Sequence, residues 1–382
     1  MTDYTVNDFT FNLFRALSVK EKGNLVCSPK NISDCLALIY PAAQKATAAA
    51  FQNAVGFPSA YADLLKKINK FNEALAADKE ATIKTANGVW ANNSFPFKSE
   101  FIRLLKEDCG AQFSSVDFKN PELVASEINE WVGQKTMSAA GEPLIKDLVK
   151  PETFNADTVM TLVSAIYYLA KFKLKFNPAL TRKQPFTMSN GKQVDCQLMT
   201  RQANYSIIDT DDLEMCEVPY MGDTSLGVIL PKNGTLADIE AKLTDESFKS
   251  MLASSVFADT VLMLPKFKIE SEFDLKDSLC ALGMEVAFTD DADFSGAIEK
   301  DTPDSSVGMK IGKAIHKAFI DTTEDGTEAA AATVVSMMKF GAAMPKKPPR
   351  KFIADRPFLY VIWHRPTSSV LFVGRHDKPS GY

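Results

Sequence analysis

The sequence predicts an α+β fold, on three observations. Amphipathic helical patterns fill the first third of the chain, strand-like runs dominate after about residue 180, and no repeat or shift of composition marks a linker between them. The chain has 382 residues, 46% of them apolar and 24% charged, which is near the globular average and supplies a sizeable core. Residues 1–382 are therefore read as a single domain.

The first element is a helix, because Val6, Phe9, Leu13, Ala16 and Leu17 recur at helical spacing behind Asp3, a candidate cap. Further helical patterns cover 31–40, 59–76, 98–108 and 121–136. Thr161–Tyr168 is a near-continuous apolar run of strand length, as expected for a strand covered on both faces. Strands follow at Leu213–Tyr220, Leu226–Leu230, Val261–Ile269 and Lys313–Thr322, with helical stretches at 236–252 and 273–282 between them. Phe358–Trp363 and Val370–Val373, separated by His364-Arg-Pro-Thr-Ser-Ser369, predict a buried terminal hairpin. The stretch from Glu324 to Arg356 fits no element: small residues come first, then Met344-Pro-Lys-Lys-Pro-Pro-Arg-Lys351. A loop of roughly 30 residues is far beyond the usual length, and such loops are functional or disordered.

Much chemistry is excluded. The net charge of -5 gives no reason to expect nucleic acid or an anionic membrane as partner. No run of about 18 apolar residues predicts a membrane span. The opening residues carry Asp3 and Asp8 where a secretory signal carries positive charge, so cytoplasmic residence is the expectation, with secretion by an unconventional route as the alternative. Six scattered cysteines, Cys27, Cys35, Cys109, Cys196, Cys216 and Cys280, fit reduced thiols better than a disulfide framework. With only His316, His364 and His376 present, and no nucleophile elbow, phosphate loop or zinc pattern, no enzyme, metal or cofactor is expected.

The segment Glu324-Asp-Gly-Thr-Glu-Ala-Ala-Ala-Ala-Thr333 has a physical reading of its own. As a strand, Thr327, Ala329, Ala331, Thr333, Val335 and Met337 face one side, and Glu328, Ala330, Ala332, Val334 and Ser336 the other. Small side chains behind a flexible Gly326 suit a segment that must slide between existing strands. The same order of glutamate, glycine, threonine and alanines resembles the hinge of the reactive-centre loop in inhibitory serpins. The likeness extends along the chain: Asn24-Leu-Val-Cys-Ser-Pro29, Val116-Asp-Phe118, Ile128-Asn-Glu-Trp-Val132, Leu264-Pro-Lys-Phe267, Leu282-Gly-Met284, Ala292-Asp-Phe-Ser-Gly296, Ala354-Asp-Arg-Pro-Phe358 and Phe372-Val-Gly-Arg375 are similar to family signatures, especially those of the ovalbumin-like clade.

The resemblance implies three β-sheets, about nine helices and an exposed reactive-centre loop at about 324–356. It implies a monomeric inhibitor that traps a serine protease as a covalent acyl-enzyme when the cleaved loop enters the main sheet. Glu324, Gly326, Thr327, Glu328, Ala329, Ala330, Ala331 and Ala332 are then the hinge, and the family's near-fixed hinge length puts the attacked bond at Phe340-Gly341. An aromatic bait implies a chymotrypsin-like or cathepsin G-like target; Lys339, for a trypsin-like target, and Met338 are the competing baits. The basic residues Lys346, Lys347, Arg350 and Lys351 read first as a solvated extension held open by prolines, and alternatively as an exosite for an acidic surface or a polyanion.

A polar cluster beneath the main sheet falls, by resemblance, on Ser28, Asn31, Ser164 and His316. Asn31 stands where serine is usual and Ser164 where asparagine is usual, so the exchange keeps one amide and two hydroxyls beside the imidazole and a satisfied network is expected. Phe172 replaces a usual tryptophan, and Pro41-Ala42 a usual glycine. The alternative function class is a non-inhibitory serpin acting as chaperone, carrier or storage protein, which the small hinge residues argue against.

Overall fold

The computed structural model describes residues 5–138, 140–299, 308–327 and 348–382. The chain opens with α1 (Asn7–Lys20), the short strand β1 (Leu25–Cys27), α2 (Pro29–Ile39), α3 (Lys45–Val55) and α4 (Tyr61–Ala77). Strand β2 (Ala81–Asn92), helix α5 (Ser99–Arg103), β3 (Gln112–Val116) and α6 (Pro121–Lys135) precede the central strand β4 (Met160–Lys171). Strands β5 (Arg182–Thr187), β6 (Gln193–Asp209), β7 (Leu213–Pro219) and β8 (Thr224–Pro231) follow, then α7 (Leu236–Lys242) and α8 (Asp245–Ala253). The remainder is β9 (Val256–Pro265), β10 (Phe267–Asp274), α9 (Lys276–Leu279), β11 (Lys313–Thr323), β12 (Gly326–Thr327), β13 (Arg350–Ile353), β14 (Phe358–His364) and β15 (Ser369–His376). The α+β reading holds.

The expected three sheets are met as two hydrogen-bonded networks among the described residues. One has nine strands, because the 17-residue β6 pairs with β5 and β9 along most of its length and with β7 at its far end. The other has six, in the order β10-β11-β12-β4-β2-β3. Burial follows from this layering: β4 is closed on both faces, as its apolar run predicts, and β14 and β15 form the expected buried hairpin.

Several boundaries differ from the sequence reading. The run Val261–Ile269 is two strands broken at Lys266, the first in the nine-stranded sheet and the second in the six-stranded one. The stretch 236–252 is two helices, because Thr235 and Thr244 each cap a new start. Of 273–282, the first residues complete β10 and only Lys276–Leu279 is α-helix. The loop expected over 324–356 is shorter at both ends: Gly326–Thr327 and Arg350–Ile353 are strands. Two prolines hide the second of these in the sequence, yet Phe352 is fully buried and anchors it beside β9. Asp3, the candidate cap, lies outside the described residues.

Candidate functional site

In the six-stranded sheet, β4 and β11 are parallel neighbours, paired from Thr161 opposite Lys313 to Tyr167 opposite Phe319. Above Phe319 they part, and β12 occupies the gap. Its two residues run antiparallel to both walls: Thr327 faces Thr322 and Ala170, and Gly326 faces Thr323 and Lys171. The chain thus ends its described course as a strand already started between two others.

That start is held by named contacts. Gly326 has φ +144, and a Cβ there would stand 2.2 Å from the Ala170 carbonyl oxygen, so only glycine fits. Thr327 is fully buried, with its hydroxyl 2.7 Å from the Tyr220 hydroxyl. Phe172, the replacement for tryptophan, stacks flat on Tyr220 at 5.0 Å, and its N–H donates to the Asp325 carbonyl at 2.8 Å. The Glu324 carboxylate takes a hydrogen bond from Thr181 at 2.8 Å and an ion pair with Lys266 at 3.1 Å, while Asp325 pairs with Lys175 at 2.8 Å. Burial works to raise the Glu324 carboxyl pKa. The hydrogen bonds from its own N–H, Thr181 and Lys266 outweigh it and hold the group below its usual range. Lys266, Thr181, Lys175 and Tyr220 went unnoticed in the sequence, since nothing local marks them as partners of residues more than 50 positions away.

Below the gap, Ser28, Asn31, Ser164 and His316 converge. Ser164 and His316 face each other across the β4·β11 seam, and Ser28 and Asn31 rise from the start of α2. The Ser28 N–H donates to His316 Nε2 at 3.1 Å, and the Ser28 hydroxyl donates to the Leu371 carbonyl at 2.6 Å. Asn31 Nδ2 donates to Ser164 Oγ at 2.8 Å and to the Ala165 carbonyl at 3.2 Å. A fifth member is Asn87 of β2, whose Nδ2 donates to Asn31 Oδ1 at 2.9 Å. Desolvation of the fully buried ring pushes the His316 pKa down to about 3, so it is neutral.

The basic run is divided. Arg350 is not part of a solvated extension: it lies in β13 and pairs with Asp209 at 2.7 Å and Glu214 at 3.0 Å. Lys351 is exposed on the same strand. Lys346, Lys347, the hinge residues Glu328, Ala329, Ala330, Ala331 and Ala332, and the baits Met338, Lys339, Phe340 and Gly341 lie outside the described residues. All six cysteines are free thiols, four of them buried. Among the described residues no helix is long and apolar enough to cross a membrane, and no group of three or more His, Cys, Asp or Glu could hold a metal ion.

Comparison with known proteins converges on one family. The family model described as Serpin (serine protease inhibitor) matches residues 4–379. An uncharacterized serpin-like protein of Methanosarcina mazei is 31% identical over 98% of this chain and 86% of its own length. The leukocyte elastase inhibitor of Equus caballus is 32% identical over 97% of each chain. Among solved structures, Serpin48 of the insect Tenebrio molitor superposes with a TM-score of 0.86 at 30% identity, covering 98% of this chain and 96% of that one.

Proposed function

The chain belongs to the serpin family, and from that premise we propose that it inhibits a serine protease as a suicide substrate, with Phe340-Gly341 as the bait bond. One observation carries this reading: β4 and β11 are parallel, and the hinge has begun a strand antiparallel to both. Continued in that register, residue 336 comes opposite Lys313 and residue 337 opposite Met160, so the segment matches the length of the seam.

The chemistry is that of acyl transfer. The protease serine oxygen attacks the Phe340 carbonyl carbon, the Phe340-Gly341 amide breaks, and Gly341 leaves as an amine carrying the proton from the catalytic histidine. The freed hinge segment then replaces the parallel β4·β11 pairing with two antiparallel ones. Each ladder bond gained contributes about 1 kcal/mol net, so insertion releases on the order of 10 kcal/mol. The ester-linked protease travels on the order of 40 Å with the strand, at about 3.3 Å per residue. Its catalytic site is distorted before water can complete the turnover.

Phe340 fits the apolar specificity slot of a chymotrypsin-like or cathepsin G-like enzyme, and Lys339 would serve a trypsin-like one. The test mixes the protein separately with chymotrypsin, cathepsin G and trypsin, and examines a denaturing gel for a covalent complex and the sequence of the released fragment. A stable complex and a fragment beginning at Gly341 are expected. A fragment beginning at Phe340 moves the bait to Lys339, and cleavage without complex from all three enzymes overturns the inhibitory reading. Phe340→Asp abolishes inhibition of the chymotrypsin-like enzymes if the bait is correctly assigned.

A further inference from the structure

A cavity of about 610 Å³ opens where the edge of the six-stranded sheet gives out. β3 pairs with β2 only from Gly88 to Asn92, so along residues 81–87 β2 has a described strand neighbour, β4, on one side alone. Leu38 of α2, Leu65, Ile68 and Leu75 of α4, Ile83 of β2 and Trp131 of α6 give the space apolar walls. Its volume lies within the range of about 300–1,000 Å³ typical of small-molecule sites.

The polar groups around it are unevenly committed. Asp34 already accepts from Lys30 at 2.6 and 2.7 Å, and Asp78 from the backbone N–H groups of Glu80 at 3.0 Å and Asp223 at 2.8 Å. Lys79 and Lys135, by contrast, are exposed lining residues that form no ion pair among the described residues. Asn87 stands in the same wall. Its Nδ2 is used by Asn31, but its Oδ1 is buried with no hydrogen-bond partner among the described residues. A buried acceptor left unmatched costs about 1–3 kcal/mol, which a ligand bearing a donor would recover.

We propose that this cavity binds a small amphiphilic anion, with its apolar body between α4 and β2, its acidic group at Lys79 and Lys135, and a hydroxyl or amide donor at Asn87. The charge complementarity selects an anion over a neutral lipid, and the walls select a body of drug-like size. The site is also coupled to the seam, a consequence that rests on the insertion reading. Admitting a strand between β4 and β11 widens the sheet by about 4.8 Å. β2 is hydrogen-bonded to β4 from Ala81 to Ala91, so widening on that side carries β2 across α2 and α4 and deforms the cavity. An occupied cavity therefore holds the sheet shut.

The test uses the full-length native protein in calorimetric titrations with 12-hydroxydodecanoate and with its uncharged twin, 1,12-dodecanediol. One site per chain is expected, with the diol at least tenfold weaker. Lys79→Gln combined with Lys135→Gln brings the acid to the affinity of the diol, and Leu65→Trp, which fills the space, removes both. Equal affinity for acid and diol, or an unchanged affinity in the lysine variant, overturns the assignment. Protein cleaved once within 328–347 should bind the acid at least tenfold more weakly. Equal binding before and after cleavage, in a protein that still forms covalent protease complexes, overturns the coupling and leaves the inhibitory reading standing.

Discussion

The Ser28 N–H points at Nε2 of His316, so that nitrogen carries a lone pair, and the single ring proton sits on Nδ1, where the Ser164 carbonyl and hydroxyl lie at 3.1 Å. A second proton has no acceptor to meet. Burial depresses His316 and His376 to about 3 and lowers His364, while in the unfolded chain each stays near 6.5. The neutral rings therefore contribute stability that is full above about pH 6.5 and is lost as pH falls toward 3. The thermal midpoint at fixed scan rate should drop between pH 6.5 and 5, above the range where depressed carboxylates titrate. His376→Phe, which keeps the ring stacked on Phe358, should flatten that slope; an unchanged slope would show that His376 protonates freely in the native state. The Asn31–Ser164 pair makes a second prediction, because Asn31 serves Ser164, Ala165 and Asn87 at once. Asn31→Ser or Ser164→Asn alone should cost about 1–3 kcal/mol, and the double variant less than their sum by about 1 kcal/mol in a double-mutant cycle. Simple additivity would mean the two are not coupled. Family resemblance picked out four members of this cluster but not the fifth. Asn87-Gly88 has the composition of a tight turn, which disguises an interior strand position, and its role comes from lying opposite Ser164 in the β2·β4 register.

At the scale of elements, periodicity reported what each segment buries, and it failed where one element serves two sheets. The alternation through Val261–Ile269 is unbroken in sequence, yet Lys266 turns the chain from one network to the other and presents its ammonium to Glu324. β12 is too short for any pattern to announce it; only its neighbours, β4 and β11, make it a strand. This places the third prediction at Thr327. The side chain is fully buried against Tyr220, in the gap through which all later residues of the segment must pass. Thr327→Arg cannot desolvate its guanidinium there without a partner, so insertion is slowed while cleavage of the exposed bait continues. The moles of inhibitor consumed per mole of protease trapped should rise at least tenfold, with the rate of loop cleavage nearly unchanged. Thr327→Ser, which keeps a hydroxyl for Tyr220, should remain close to the parent. If both variants trapped protease as the parent does, insertion past this point would not govern the outcome.

Taken as a whole, the molecule keeps its most buried strand beside a neighbour it pairs with only in part. β4 and β11 share parallel bonds from Thr161/Lys313 to Tyr167/Phe319 and diverge above, where just two hinge residues complete the ladder. Parallel pairing is slightly weaker per residue than antiparallel, and an added strand would bond on both of its edges, so the sheet as it stands is not the arrangement with the most ladder bonds this sequence can make. What preserves it is a barrier: inserting the segment requires breaking the seam pairs and the His316–Ser164 contact before any new bond forms. Cleaving the loop anywhere in residues 338–341 removes the tether that keeps the segment outside. The cleaved protein should then unfold at a higher temperature than the intact one. With about 2.1 cal/mol/K of unfolding entropy per residue, a gain on the order of 10 kcal/mol in a chain of 382 residues raises the midpoint by on the order of 10 °C. Differential scanning calorimetry of the intact and nicked protein reads this directly. An unchanged or lowered midpoint, in a sample whose loop is fully cut, would mean that the seam stays shut after cleavage, and trapping a protease by insertion would then have no source of free energy.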